Sequence, residues 1–149
     1  MLAVEIHTAE TYLQCVKPAK SQQVAEYFAQ IIQLLAQKGY RKVDIFLDHN
    51  PTHQRKMQQI FYQLNQTQLK VRFFFLPPYS PWLNPVEFLI HLIRQKELHH
   101  HSPDRQLEEI EKICVDKIHN QNYFAQENLL NIIEHIEQKI LDKYTKTKV

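Results

Sequence analysis

Apolar positions along the chain alternate between strand-like and helix-like spacing, and their order predicts an α/β protein. Residues 1–16 hold two short β-prone runs around a polar stretch, which predicts a hairpin. Residues 42–48 and 69–76 are apolar runs of strand length, the second too apolar to face water on both sides. Four further stretches carry apolar residues at helical spacing: Val24, Phe28, Ile31, Ile32 and Leu35; Met57, Ile60, Phe61 and Leu64; Leu107, Ile110, Cys114 and Ile118; Leu129, Ile132, Ile133, Ile136 and Ile140.

Residues with strong backbone preferences mark the expected ends of these elements. Ser21 has the type and position of an N-cap, and Gly39 stands where a glycine ends a helix. Residues 77–85 contain four prolines, so they predict an ordered but irregular segment. Asn84-Pro85 predicts a helix start, with the helix running to about the histidines at 99–101, and Ser102-Pro103 predicts a second start.

The resulting order is strand, helix, strand, helix, strand and helix, followed by a helical tail. Such an order favours a layered α/β domain in which residues 42–48 and 69–76 pair in parallel. In open sheets of this kind, ligands bind at the carboxyl ends of the strands. That edge is therefore where candidate chemistry is expected.

Composition narrows the class of protein. The chain has 149 residues, 18 Lys and Arg against 16 Asp and Glu, and one glycine. A net charge of +2 requires any basic surface to be local, and one glycine excludes the Gly-rich phosphate loops of nucleotide-binding enzymes. Cys15 and Cys114 match no metal or redox spacing and suggest a reducing, cytoplasmic setting. No apolar run approaches the ~20 residues of a membrane helix.

Two acids stand at expected ligand-binding positions. Asp48 ends the strand at 42–48, and Glu87 lies in the first turn of the helix that opens at Asn84. Each has a structural alternative. Asp48 and Asn50 are also suited to capping the next helix, and Asn84 with Glu87 has the spacing of a capping box. Taken together, however, a strand-end Asp and a helix-start Glu can converge at one sheet edge, which predicts ~4–7 Å between their oxygens in a metal-free site. Oxygens placed in this way would suit Mg²⁺ or Mn²⁺.

The surrounding residues resemble a known family. FLDHNPTH, followed by FFFLPPYSPWLNPVEFLIHLIRQK, resembles the catalytic core of bacterial insertion-sequence transposases of the Tc/mariner kind, within the DDE superfamily. The resemblance runs from the start of the chain to about residue 100. It implies a ribonuclease H-like sheet, Asp48 and Glu87 as the family's second and third catalytic acids, and supporting contacts from Asn50, His53 and Asn84.

Three departures from the family pattern matter. His49-Asn50 replaces the Asn that usually follows the acid, and Ile90 replaces a usual Trp. The family's first Asp lies on a strand before the hairpin, and no such strand is expected here, nor are the family's helix-turn-helix modules. Glu5 is a poor substitute for this acid. If the strand that holds Glu5 were the family's first strand, the two hairpin strands would have to follow it, and the segment before the next helix is too short to contain them. The expected fold is thus an incomplete ribonuclease H-like sheet with flanking helices, a partial catalytic domain at 1–101 and a helical extension at 102–149.

Other side chains fit contacts with DNA. Tyr79 and Trp82 lie in the proline-rich segment, where they suit either base stacking or anchoring of the loop to the core. Arg94 and Lys96 suit phosphate contacts, as do three further basic residues near the acids: Arg55, Lys56 and Lys70. The adjacent histidines at 99–101 face different directions on a helix end, which argues against a designed metal site.

Three hypotheses remain at this stage. The first is a transposase catalytic fragment that cleaves double-stranded DNA at transposon ends and joins it to target DNA, using a two-ion magnesium site only if a third acid is supplied. An upstream transposase polypeptide or a homodimer would then be its partner. The second is a non-catalytic DNA-binding or dimerising relic, and the third an unrelated α/β protein. The absent first strand also leads us to expect that residues 1–16 pair directly with 42–48.

Overall fold

The computed structural model describes residues 1–99, 106–116 and 126–146. In these residues the chain is mixed α/β, as predicted. Its strands and helices are β1 (Leu2–Val4), β2 (Thr11–Leu13), α1 (Ser21–Gln37), β3 (Lys42–Leu47), α2 (Arg55–Leu64), β4 (Lys70–Phe75), α3 (Pro85–Ile93), α4 (Leu107–Val115) and α5 (Gln126–Lys146). Short 3-10 turns cover Pro51–His53 and Pro81–Leu83, and a π-helical turn, Arg94–Leu98, continues α3.

Strand pairing confirms two predictions and corrects a third. β1 and β2 pair antiparallel as the predicted hairpin, and β3 and β4 pair in parallel, with Lys42 opposite Lys70 and Leu47 opposite Phe75. The expected ladder between residues 1–16 and 42–48 is wrong: within the described residues β3 pairs with β4 alone. The hairpin strands bury their apolar side chains against helices instead, so they gain burial without joining that sheet.

Packing divides the chain into two compact units. The sheet unit comprises Val16–Ser80 with Met1, and the hairpin unit comprises Leu2–Cys15 and Pro81–Val149. In the sheet unit α1 and α2 pack together, and edge-on aromatic contacts join both helices to Phe73 of β4. Its buried apolar residues come from α1, β3, α2 and β4 and from the position just before β4: Val24, Ala25, Tyr27, Phe28, Ile31, Ile32, Leu35, Leu47, Met57, Phe61, Leu69 and Val71.

The core of the hairpin unit joins the start of the chain to the C-terminal helices. Its buried residues are Ala9, Leu89, Ile93, Cys114 and Leu129. Leu2, Val4 and Leu13 of the hairpin pack against this cluster, so α4 and α5 share a core with α3 and the hairpin. The predicted boundary between 1–101 and 102–149 lies outside the described residues and stays a prediction.

The ends of α1 test two sequence assignments. The predicted N-cap at Ser21 is off by one, because Ser21 is the first helical residue and Lys20 precedes it with extended backbone. The Gln23 side chain accepts a hydrogen bond from the Lys20 N–H, 3.3 Å away, so it folds back on the residue before the helix. The predicted glycine stop is confirmed: Gly39 has φ +87°, and its N–H and that of Tyr40 donate to Ala36 and Leu35 in a Schellman motif.

Some sequence assignments fall on residues that are not described. The Ser102-Pro103 helix start, His100, His101 and Ile118 lie outside the described residues. Within those residues, no helix has both the length and the apolar character needed to cross a membrane.

Candidate active site

Asp48 follows β3 directly, at the carboxyl end of the parallel pair. Its Oδ1 accepts two hydrogen bonds, from the His53 ring Nδ1–H at 2.5 Å and from the Asn50 backbone N–H at 3.2 Å. The side chain is 43% exposed, and among the described residues Oδ2 accepts no hydrogen bond. One carboxylate oxygen is therefore held in place while the other remains open to a ligand.

The loop after Asp48 is fixed by its own polar residues. Asn50 Oδ1 accepts bonds from the Thr52 N–H at 3.0 Å and the Thr52 hydroxyl at 2.8 Å, and thereby caps the 3-10 turn Pro51–His53. That turn places His53 back over Asp48. The capping alternative thus describes Asn50 well, whereas Asp48 caps neither the turn nor α2, which starts after Gln54 without a side-chain cap.

His49 has a structural role that sequence reasoning missed. Its Nε2–H donates to the Leu76 carbonyl at 2.7 Å, and its ring stacks on Phe75 at a centroid distance of 5.4 Å. Together with the 2.8 Å bond from the Leu76 N–H to the Leu47 carbonyl, these contacts tie the ends of β3 and β4 together. The signal was present in the sequence as the departure from the family pattern, where a histidine directly follows the acid.

Glu87 occupies the third position of α3, after Pro85 and Val86. The predicted capping box is only half formed. Asn84 Oδ1 accepts from the Val86 N–H at 3.2 Å, so Asn84 caps the helix as expected. The Asn84 N–H, which Glu87 was expected to bind, instead donates to the Pro81 carbonyl at 3.0 Å. The preceding 3-10 turn thus replaces Glu87 in the cap, and among the described residues the Glu87 carboxylate forms no hydrogen bond or ion pair.

The two acids belong to different compact units, Asp48 to the sheet unit and Glu87 to the hairpin unit. The predicted separation of ~4–7 Å between their oxygens stays a prediction. The open oxygens are of the hard type that Mg²⁺ and Mn²⁺ prefer, so the donor chemistry fits such ions. Within residues 1–99, 106–116 and 126–146, no group of three His, Cys, Asp or Glu side chains is arranged to hold a metal. Asp48 and Glu87 alone therefore do not make a complete metal site.

The side chains predicted to contact DNA are distributed over both units. Tyr79, in the sheet unit, is fully exposed at 101% and adopts a left-handed backbone with φ +58°. Trp82 is half-buried in the 3-10 turn that precedes α3. Arg94 and Lys96 are exposed in the π-helical turn that follows α3. Left-handed backbone is uncommon for a residue other than glycine, and at Tyr79 it projects an aromatic ring into solvent.

Glu5 is engaged within its own turn. Its carboxylate accepts hydrogen bonds from the His7 N–H at 3.0 Å, the Thr8 N–H at 2.7 Å and the Thr8 hydroxyl. Burial acts to raise the pKa of Glu5, but the bonds from Thr8 and His7 outweigh it and hold the pKa below its ordinary value. These contacts give Glu5 a role in stabilising the hairpin turn.

The cysteines have no arrangement suited to chemistry. Cys114 is buried in the core of the hairpin unit, and Cys15 is half-buried. Burial, followed by the negative charge of Glu111, raises the pKa of the Cys15 thiol and disfavours the reactive thiolate. Neither residue therefore competes with the acids as a candidate catalytic group.

Comparison with known proteins identifies the family. A family model described as DDE superfamily endonuclease matches residues 1–111, about three quarters of the chain, and this range includes both Asp48 and Glu87. Neither the curated proteins nor the solved structures gave a match. Because the family model covers most of the chain and both candidate acids, the chain belongs to the DDE superfamily of endonucleases.

Proposed function

We propose that this chain supplies two acids, Asp48 and Glu87, to a nuclease centre that cleaves DNA phosphodiesters and transfers strands, as transposases of the Tc/mariner insertion-sequence kind do. Membership of the family supports a transposase-like nuclease that acts on DNA, and nucleases of this superfamily generally use divalent metals. The observation that carries the proposal is the state of the two carboxylates. Neighbouring asparagines cap the adjacent turns, which leaves oxygens of both acids without structural partners among the described residues.

Asp48 is pre-oriented for binding a metal. The His53 ring and the Asn50 N–H both hold Oδ1, so rotation of the carboxylate is restricted while Oδ2 stays open to a ligand. Supporting contacts of this kind fix the direction of a metal ligand and commonly raise metal affinity. His53 and Asn50 are therefore positioning residues for Asp48.

Glu87 is positioned by the helix on which it lies. Asn84 and Pro85 fix the start of α3, and the 3-10 turn before them takes the backbone contact that would otherwise engage Glu87. Asn84 is thus a positioning residue for Glu87. A divalent metal bound by Asp48 and Glu87 would activate the attacking oxygen and stabilise the leaving one.

The proposed centre needs a further carboxylate. Two-ion nucleases of this type hold their metals with acids that act as a unit, and loss of one removes most of the activity. The 149-residue chain by itself is therefore expected to be inactive or nearly so, with the third acid supplied by an upstream transposase polypeptide. A homodimer is the alternative arrangement for completing the centre.

Double-stranded DNA, as transposon ends and target, is the proposed substrate. Arg94 and Lys96 provide exposed positive charge on one turn, which suits phosphate contacts. The exposed ring of Tyr79 is suited to contact with a base. We propose the same role for Trp82, which is half-buried in the turn before α3.

The test is a complementation assay with a labelled DNA duplex, Mg²⁺ and the purified chain, with and without a polypeptide carrying a strand that ends in Asp. The proposal predicts little cleavage by the chain alone and cleavage when the polypeptide is added, lost in Asp48→Asn and in Glu87→Gln. Glu134→Gln, on the exposed face of α5, serves as a control expected to retain cleavage. DNA binding without cleavage in the complemented mixture would contradict the nuclease proposal and favour a non-catalytic binding relic.

A further inference from the structure

One face of the β3–β4 sheet is open to solvent in a way that the nuclease function does not explain. Successive side chains of a strand alternate between faces, and the parallel register places six residues on this open sheet face. They form three cross-strand pairs: Lys42 with Lys70, Asp44 with Arg72, and Phe46 with Phe74. The opposite face packs against α1 and α2 through Phe73 and its neighbours.

Two exposed phenylalanine rings lie at one end of the open sheet face. Phe46 is 58% exposed and Phe74 is 38% exposed, although phenylalanine usually lies in the interior. The two rings stack on each other with centroids 5.4 Å apart and an interplanar angle of 22°. Together they present a pair of nearly parallel aromatic rings to solvent.

Charged groups lie beside these rings. The Arg72 guanidinium lies 5.1 Å from the centroid of Phe74, and it donates two hydrogen bonds to Asp44, from Nε at 2.7 Å and from Nη2 at 2.6 Å. Lys42 Nζ lies 3.5 Å from the same carboxylate. The hydrogen bonds from Arg72, aided by the charges of Arg72 and Lys42, keep the pKa of Asp44 below its ordinary value.

The open sheet face is therefore aromatic at one end and positively charged at the other. Three cations, Lys42, Lys70 and Arg72, stand against a single anion, Asp44. Exposed aromatic rings beside a row of cations form the combination that binds single-stranded nucleic acid, because bases stack on rings while cations meet phosphates. Stacking of this kind does not depend on base sequence.

We propose that the open sheet face binds a single-stranded stretch of DNA, with a base stacked on the more exposed ring, Phe46, and phosphates near Lys42 and Lys70. Phe74 supports the Phe46 ring, because Phe46 and Arg72 already cover its own ring. A duplex fits less well, since its bases already stack on each other and do not offer their faces. A second copy of the chain would bring two net-positive faces together, and an apolar helix would bury four charged groups at high cost. This binding does not depend on Asp48, Glu87 or a metal, so it stands apart from the nuclease proposal.

The test measures binding of the full chain to a fluorescent oligothymidine by anisotropy, in EDTA so that cleavage is excluded. Phe46→Leu keeps an apolar side chain but removes the stacking ring, and we expect it to weaken binding at least about fivefold. Phe46→Tyr keeps the ring and should bind as the unchanged chain does. Leu34→Ala is the matched control, because Leu34 is an exposed apolar residue (46%) of α1 in the same unit; it should leave the affinity unchanged.

Salt dependence and competition give independent readouts. Lys70→Gln should reduce the slope of log affinity against log salt by about 0.7, the value for one phosphate contact on a single strand. A duplex of equal length should compete poorly. The variants Asp48→Asn and Glu87→Gln should each bind oligothymidine as the unchanged chain does, even if they abolish cleavage. Equal affinity of Phe46→Leu and the unchanged chain would overturn the proposal. So would a dimer of the unchanged chain that Phe46→Leu dissociates in sedimentation, since the face would then be a self-association surface.

Discussion

His53 donates a 2.5 Å hydrogen bond from its ring to Oδ1 of Asp48, five residues earlier in the chain. The 3-10 turn between them, capped by Asn50, sets this distance. The acid at the end of β3 is thus oriented by its own loop, whichever residues complete the site. Asp48 is therefore prepared for ligand binding by local structure alone.

This relationship predicts a measurable stability effect. His53→Ala should lower the free energy of unfolding by about 0.5–1.5 kcal/mol, the usual worth of a hydrogen bond in a partly exposed setting. His99→Ala, an exposed histidine after the π-helical turn, should change it little. Urea denaturation of the three chains checks this. Equal stabilities for the unchanged chain and His53→Ala would show that the bond does not hold the loop.

The cap of α3 yields a prediction that separates structure from function. Asn84→Ala should cost about 1 kcal/mol of stability, because the Val86 N–H loses its acceptor. Glu87→Gln should cost less than about 0.5 kcal/mol in 0.5 M salt, where the interaction of its charge with the helix dipole is screened. Thermal or urea unfolding measures both. A loss for Glu87→Gln as large as that for Asn84→Ala would make Glu87 a structural cap.

Gly39 tests the backbone at the end of α1. Its φ of +87° is strained for any side chain, whereas a Cβ added there would meet no atom within 4 Å. Gly39→Ala should therefore destabilise the chain by about 1 kcal/mol through backbone strain alone. Gly39→Asn should cost less, since asparagine tolerates this conformation better. Equal melting temperatures for Gly39→Ala and the unchanged chain would contradict the assignment.

The contacts of Glu5 predict that the stability of the folded chain depends on pH. Since hydrogen bonds from Thr8 and His7 hold the folded pKa of Glu5 below its ordinary value of 4.5, folding favours the ionised form. Its contribution is complete above about pH 4.5 and is lost as the pH falls through the lowered folded value. Unfolding measured between pH 6 and pH 3 should show a shallower decline for Glu5→Gln than for the unchanged chain. Glu134→Gln should follow the unchanged chain, and a Glu5→Gln profile equal to both would refute the linkage.

Local patterns in the sequence were enough to predict the local structure. The hairpin, the parallel pair and the glycine stop at Gly39 were all predicted, because turn residues and apolar spacing act over a few residues. The surface against which the hairpin packs was not predicted, since Leu2, Val4 and Leu13 contact residues of α3, α4 and α5 that lie far away in the sequence. Which distant surface an apolar side chain meets depends on three-dimensional packing. The spacing of apolar residues along the chain does not specify it.

In the candidate site, too, local features were predicted and features that depend on contacts outside the motif were missed. Asp48 and Glu87 were located by a motif, and the Asn84 cap by residue type. The loss of Glu87 from the capping box was not foreseen, because it depends on the 3-10 turn at Pro81–Leu83 taking the Asn84 N–H. The role of His49 was also missed, since its acceptor, the Leu76 carbonyl, lies 27 residues later and is a backbone atom that no motif specifies.

Crystallographic location of bound Mn²⁺ decides whether Asp48 and Glu87 serve one metal centre. Crystals of the chain soaked in Mn²⁺ and recorded at the manganese absorption edge would reveal the ion by its anomalous signal. We expect a peak in contact with both carboxylates, whose nearest oxygens lie ~4–7 Å apart in the metal-free chain and move closer around the ion. The peak should disappear in Asp48→Asn. Carboxylates separated by the width of a helix, or manganese bound elsewhere with neither acid, would show that Asp48 and Glu87 do not share a metal centre.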